Sequence, residues 1–311
     1  MIINTGCRTD IPAFYSKWLI NRIDQGFVLV RNPYNPSQVT KYSLNPDVVD
    51  CLAFCTKNPE PMLKYLDELD KYKQYWFVTI TPYGKDIEPV VPDKENVIQS
   101  FIKLSNHIGA NSIGWRYDPI FINKDFDVEK HIKCFENMAR KLKGCTHNCT
   151  ISFLDLYEKV KKNAPDLRPP TKEEQIKIAS SFAKIGKEND MVIHSCCENT
   201  FLAEYGLKCN GCMSQEIVEK SIDFRLEPPK RKNLRQECNC LMGNDIGAYN
   251  TCGHLCKYCY ANANKNLVIE SMKKHNENSP FLIGNSEPED KITDAKQKSW
   301  IVSKNEQISF I

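Results

Sequence analysis

Three cysteines close one short loop, TCGHLCKYCY. Cys252, Cys256 and Cys259 stand in a C-x3-C-x2-C spacing, with Tyr258 before the last thiol and Tyr260 after it. A structural zinc ion takes four ligands in a closed tetrahedron, usually from two C-x2-C knuckles. Three thiols are one short of that, unless Cys238, Cys240 or His254 completes the set. Three thiols on one loop suit a cuboidal [4Fe–4S] cluster, one cysteine per iron, with the fourth iron open to a small chelating ligand. Tyr258 would then shield the cluster or lie beside that ligand. If Cys240 closes the cluster instead, no iron stays open, and a structural or electron-transfer role is expected.

The other cysteines sharpen the question. The chain has 15 in 311 residues, and seven fall between Cys209 and Cys259. The N-terminus, MIINTGCRTD, has no basic segment leading into a long apolar one, and no apolar run approaches the length of a membrane span. A cytoplasmic, reducing location is therefore expected, where cysteines suggest metal, redox chemistry or buried thiols rather than a disulfide scaffold. Cys209 and Cys212 form a C-x2-C knuckle that, with Cys196 or Cys197, is a candidate for a second metal, although buried thiols are common. A net charge of +3, with 41% hydrophobic and 26% charged residues, gives no reason to expect a nucleic-acid or membrane partner. The basic run PPKRKNLR, with Lys230, Arg231, Lys232 and Arg235, reads as solvated linker, since no aromatics interleave with it.

Over residues 1–200 strand-like and helix-like patterns alternate. MIINTG, FVLVRNP, VVDCLAF, YWFVTI, SIGWRYD, CTISFLDL and MVIHS read as strands. RTDIPAFYSKWLINRIDQG, NPEPMLKYLDELDKY, KENVIQSFIKLSNHIG, DVEKHIKCFENMARKLKG and TKEEQIKIASSFAKIG read as helices, the last opening on a Thr171…Glu174 capping box. Strand–helix–strand repeats with near-continuous apolar strands imply a parallel sheet covered by helices. The expected fold is α/β: a (β/α) barrel, partial or permuted relative to a TIM barrel, with a doubly wound sheet as the alternative. No Gly-rich phosphate loop is present. The expected organisation is a barrel core over 1–200, a cysteine-rich metal-binding segment over 201–270 packed on it, and a polar tail over 271–311 in which SPFLIG and SWIV dock.

A (β/α) barrel carries its active site at the C-terminal ends of its strands. Those ends here hold Cys7 and Arg8, Lys57 and Asn58, Thr79 and Thr81, Arg116 and Asp118, Asp155, and His194 with Cys196 and Glu198. Each alone has a structural explanation, an ion pair or a helix cap. Six polar strand ends together favour a site, with Lys57, Arg116, Asp118, Asp155 and His194 as catalytic or binding candidates.

C-x3-C-x-aromatic-C resembles the signature loop of the radical S-adenosylmethionine enzymes, and CKYCYA resembles their spore photoproduct lyase branch. That resemblance implies a [4Fe–4S] cluster whose open iron chelates S-adenosylmethionine, cleavage of the sulfonium to a 5′-deoxyadenosyl radical, a small-molecule substrate and an electron donor such as a flavodoxin or ferredoxin. The loop departs from that superfamily in following the last strands rather than the first. The stretches INTGCRTDIPAFYSKW, FVLVRNPYNP, FCTKNPEPML, WRYDPI and DIGAYNTCGHLCKYCYAN resemble a bacterial family, domain of unknown function 1848. By that resemblance Cys252, Cys256, Cys259 and Cys240 are metal ligands, and Asp245 with Tyr258 and Tyr260 lines the cofactor. The alternative function is a non-catalytic protein that uses zinc or a fully ligated cluster as a structural or electron-transfer centre.

Overall fold

A computed structural model describes residues 1–230, 238–241 and 243–302. Its strands are β1 (Ile2–Asn4), β2 (Phe27–Asn32), β3 (Asn35–Ser43), β4 (Cys51–Thr56), β5 (Gln74–Thr79), β6 (Ile113–Ile120), β7 (Asn148–Phe153), β8 (Val192–Ser195), β9 (Asn244–Asp245) and β10 (Lys291–Asp294). Seven form one parallel sheet in the order β8-β7-β6-β5-β4-β1-β9. From β1 to β8 each strand joins the side left free by the one before. Over that stretch the order of strands in the sheet follows the order in the chain. The fold is thus mixed α/β on a seven-stranded parallel sheet. Only β9 adds on the opposite side of β1, through Ile3–Asn244 and Asn4–Asp245 pairing.

FVLVRNP lies outside this sheet. It forms β2, which pairs antiparallel with β3, and β10 adds parallel to β3. The reason is the length of the connection. Only Pro33 and Tyr34 separate β2 from β3, and a link that short joins antiparallel neighbours, never a parallel crossover. Two expected helices are divided. RTDIPAFYSKWLINRIDQG breaks at Tyr15 into Ile11–Phe14 and Ser16–Gln25, the second ending on left-handed Gly26. NPEPMLKYLDELDKY breaks into single turns at Glu60–Leu63 and Leu66–Leu69. The other three form as read. Lys94–Ile108 and Val128–Leu142 are capped by Asp93 and Asp127, and Lys172–Glu188 carries both bonds of the Thr171–Glu174 capping box.

Alternation along the strands sorts the side chains. Trp76, Trp115 and Tyr117 face the helices. Trp115 stacks on Phe135 at 4.7 Å, and Phe135 stacks on Phe182 of the next helix at 3.7 Å. The opposite set, Cys55, Phe77, Arg116, Asp118, Thr150, Ser152 and His194, forms a largely polar face. One hydrophobic core includes Met213, Ile217 and Ile246 of the cysteine-rich segment and Leu282 and Trp300 of the tail. Phe281 and Trp300 are buried, as SPFLIG and SWIV foretell. Among the described residues no helix is long and apolar enough to cross a membrane.

Candidate metal centre

The three-cysteine loop is fastened across the C-terminal ends of β1, β4 and β5. Val90 N–H donates to His254 O (3.3 Å) and Lys257 N–H to Ile87 O (3.0 Å), so the segment after β5 holds the loop by its backbone. Tyr15 OH donates to Thr251 O at 2.7 Å. Asp10, just after β1, accepts from the Lys57 N–H (2.8 Å) and the Ala13 N–H (3.0 Å) and bonds His254 Nε2 (2.8 Å). Inside the loop Cys259 N–H turns back to Cys256 O (3.1 Å), Ala261 N–H donates to Cys259 Sγ (3.3 Å), and Leu255 takes a left-handed conformation. Gly253 lies on the Phe14 ring, and a Cβ there would fall 2.7 Å from Phe14 Cε1. Gly253→Ala is therefore expected to cost ~1–3 kcal/mol by overpacking. It should also speed hydrogen exchange at the Val90 and Lys257 amides. Unchanged exchange would mean that the Phe14 ring yields and does not set the loop's height.

Beneath the loop is a carboxylate that the sequence did not single out. Glu88 is 1% exposed. Its Oε1 accepts from Lys57 Nζ (2.8 Å) and Thr81 Oγ1 (2.8 Å), Tyr258 OH donates to the same oxygen, and Lys94 Nζ donates to Oε2. Burial alone would raise this carboxyl. Lys57 and Lys94 outweigh it and hold Glu88 at about 2. Lys57 also lies 5.5 Å from the Tyr258 ring centre. The aromatic of the C-x-aromatic-C motif is thus the loop's anchor, and Lys57 is committed to the same network.

The cysteines divide into two groups. Cys196, Cys212 and Cys240 have sulfurs within 4.8 Å of one another, and among the described residues the loop trio does not close to that range. Cys240 Sγ is 3.3 Å from Cys212 Sγ and 3.7 Å from Cys196 Sγ. The structure therefore seats Cys240, expected beside the loop trio, with Cys196 and Cys212. Burial pushes the Cys252 thiol well up and the Cys256 thiol to about 12, against the pull of Lys57 on the latter. Thiols gathered on one loop are a donor set that a cation would convert to thiolates.

The remaining candidates fall around this centre. Arg116 Nη2 is 2.5 Å from Asp118 Oδ2, Ser152 Oγ donates to the other oxygen, and Arg116 Nη1 reaches Cys55 Sγ at 4.0 Å. Arg116 Nε is buried without a partner. Burial disfavours the guanidinium charge, but Asp118 and the thiols of Cys212, Cys55 and Cys196 outweigh it. Asp245 accepts from Cys7 N–H (3.2 Å) and from Arg8 Nε, tying β9 to the end of β1. Tyr260 is 52% exposed, and its OH donates to Cys7 O. Asp155 is exposed and accepts from Tyr157 OH (3.3 Å), and the Tyr157 ring lies 6.3 Å from that of Tyr260. His194 is buried, with Nδ1 2.7 Å from Asn210 Oδ1 and Nε2 3.0 Å from Asn148 Oδ1. It braces the Cys209–Cys212 turn. Lys230 is exposed, and Arg231, Lys232 and Arg235 lie outside the described residues.

A family model described as Domain of unknown function (DUF1848) matches residues 2–261. That span runs from β1 to the residue beyond Tyr260 and takes in both cysteine groups. Among the curated proteins none matches.

Proposed function

The chain belongs to the DUF1848 family, and from that premise we propose that it is an iron–sulfur protein of the radical S-adenosylmethionine type. Cys252, Cys256 and Cys259 hold a [4Fe–4S] cluster with one iron left open. One observation carries this reading. Cys240, the further cysteine that would close the cluster, is engaged elsewhere, its Sγ 3.7 Å from that of Cys196 and 3.3 Å from that of Cys212. The donor set also fits chemically, three half-buried thiols at the C-terminal ends of parallel strands, where α/β folds gather their ligands.

When bound, such a cluster supplies one-electron reduction of a coordinated sulfonium ligand. This chain's own residues do the positioning. Glu88, Tyr258 and Lys57 fix the loop and keep water from its inner side. Arg116, with a free Nε, offers a cation for a carboxylate, and Asp118 and Asp155 offer acceptors for ammonium or hydroxyl groups of a small-molecule substrate. The exposed Tyr260 and Tyr157 rings form the outer wall. A flavodoxin- or ferredoxin-type donor is the partner this chemistry needs, in a cytoplasmic setting.

A second reading rests on His254. Its Nε2 is bonded to Asp10, and its Nδ1 is buried without a partner. Metal-bound histidines commonly use their second nitrogen in this way. A centre closed by His254 would be structural or electron-transferring. The test is anaerobic reconstitution, iron and sulfide analysis, and EPR of the reduced protein with and without S-adenosylmethionine. About four irons per chain and a spectrum changed by the ligand are expected, both preserved in His254→Gln. A ligand-indifferent spectrum whose shape changes in His254→Gln would replace the first reading by the second.

A further inference from the structure

We propose that Cys196, Cys212 and Cys240 hold a separate mononuclear metal ion of the zinc class, independent of whatever the loop trio binds. Thiolates about 2.3 Å from a tetrahedral ion lie about 3.8 Å from each other, the edge of that tetrahedron. Cys196 Sγ to Cys240 Sγ is 3.7 Å and Cys212 Sγ to Cys240 Sγ is 3.3 Å. Cysteines on different irons of a cluster have a metal–metal edge between them and stand further apart. This spacing therefore selects one ion.

The three come from separate parts of the chain. Cys196 follows β8, Cys212 closes the C-x2-C turn, and Cys240 precedes β9. The turn is built for the contact. Gly211 has φ +85 and lies against Cys240, where a Cβ would fall 2.9 Å from its sulfur. Cys212 N–H donates to that sulfur at 3.3 Å, the bond that steadies a metal-bound thiolate in a knuckle. His194 holds the turn through Asn210. Cys209 does not join the group, since its sulfur faces Thr200 O at 3.9 Å. Two thiols flank the three. Cys197, whose backbone is left-handed (φ 58), brings its sulfur to 3.9 Å from that of Cys196, and Cys238 lies beside Cys240. One of these flanking thiols completes the tetrahedron. Arg116, on the inner sheet face, supplies a positive charge toward Cys196 and Cys212.

The test uses the full chain carrying Cys252→Ala, Cys256→Ala and Cys259→Ala, so that failure of the loop reading cannot imitate failure of this one. Expressed with added zinc and purified under reductant, it is expected to hold about one zinc per chain, with an X-ray absorption first shell of sulfur at about 2.3 Å. Cys212→Ser in that background should lose the ion and Cys209→Ser should keep it, with circular dichroism of both checked against the parent. Three outcomes overturn the proposal: a folded parent free of metal, a Cys212–Cys240 disulfide persisting under reductant, or loss of zinc in Cys209→Ser with retention in Cys212→Ser.

Discussion

Glu88→Gln is expected to cost the metal-free protein about 3 kcal/mol at pH 7, and the gap to wild type should shrink by more than half near pH 3. Glu88 is held at about 2 against an ordinary value of 4.5. Each tenfold of that difference is worth about 1.4 kcal/mol. The folded-state value is the depressed one. Its stabilisation is therefore complete above the unfolded-state value and is lost as pH falls toward 2. The amide cannot reproduce the site. Three donors converge on Oε1, and Lys94 donates to Oε2. An NH2 group at either position faces a donor, and Lys57 loses its counter-charge. Urea unfolding at the two pH values measures both parts. A difference that stays constant with pH would mean that packing, not charge, makes Glu88 matter. No difference at all would remove it as the seat of the loop.

That Glu88 went unread shows where a sequence is mute. YGKDIEPVVP has neither period nor motif, so nothing marks one acid among three charged residues as buried. Its role depends on Lys57, Lys94 and Tyr258, 31, 6 and 170 residues away. The parallel sheet is legible because strands such as VVDCLAF and YWFVTI read as near-continuous apolar runs. FVLV reads like a strand of the parallel sheet because it has the same apolar character, and only the two-residue link to the next strand marks the hairpin. Cys240 shows the limit in another way. The family resemblance makes it a metal ligand along with Cys252, Cys256 and Cys259. However, β9 lies between it and those three and carries the chain along the edge of β1, and Cys240 instead meets thiols 28 and 44 residues upstream. The C-x2-C turn with its glycine was the available clue. His194 ends a strand as an active-site residue would, yet both its nitrogens are taken by amides, a fact no spacing reveals.

The sharpest expected loss comes from the loop thiols. Cys256→Ala, and equally Cys252→Ala or Cys259→Ala, is expected to lower iron from about four per chain to near zero and to abolish any response to S-adenosylmethionine. Stability of the metal-free protein should change by only ~1 kcal/mol, the smaller end of core truncation. The reasoning rests on what seats the loop. Two backbone bonds to the segment after β5, the Asp10–His254 contact and the Tyr258–Glu88 contact all persist when a sulfur is removed. Loss of iron in a protein that still melts like its parent therefore reports ligation and not misfolding. Zinc at the Cys196 group should be untouched, because its ligands share no contact with the loop thiols among those described. Full iron loading in all three single variants would remove the trio as cluster ligands. Simultaneous loss of iron and zinc would show that the two groups of cysteines build one centre after all.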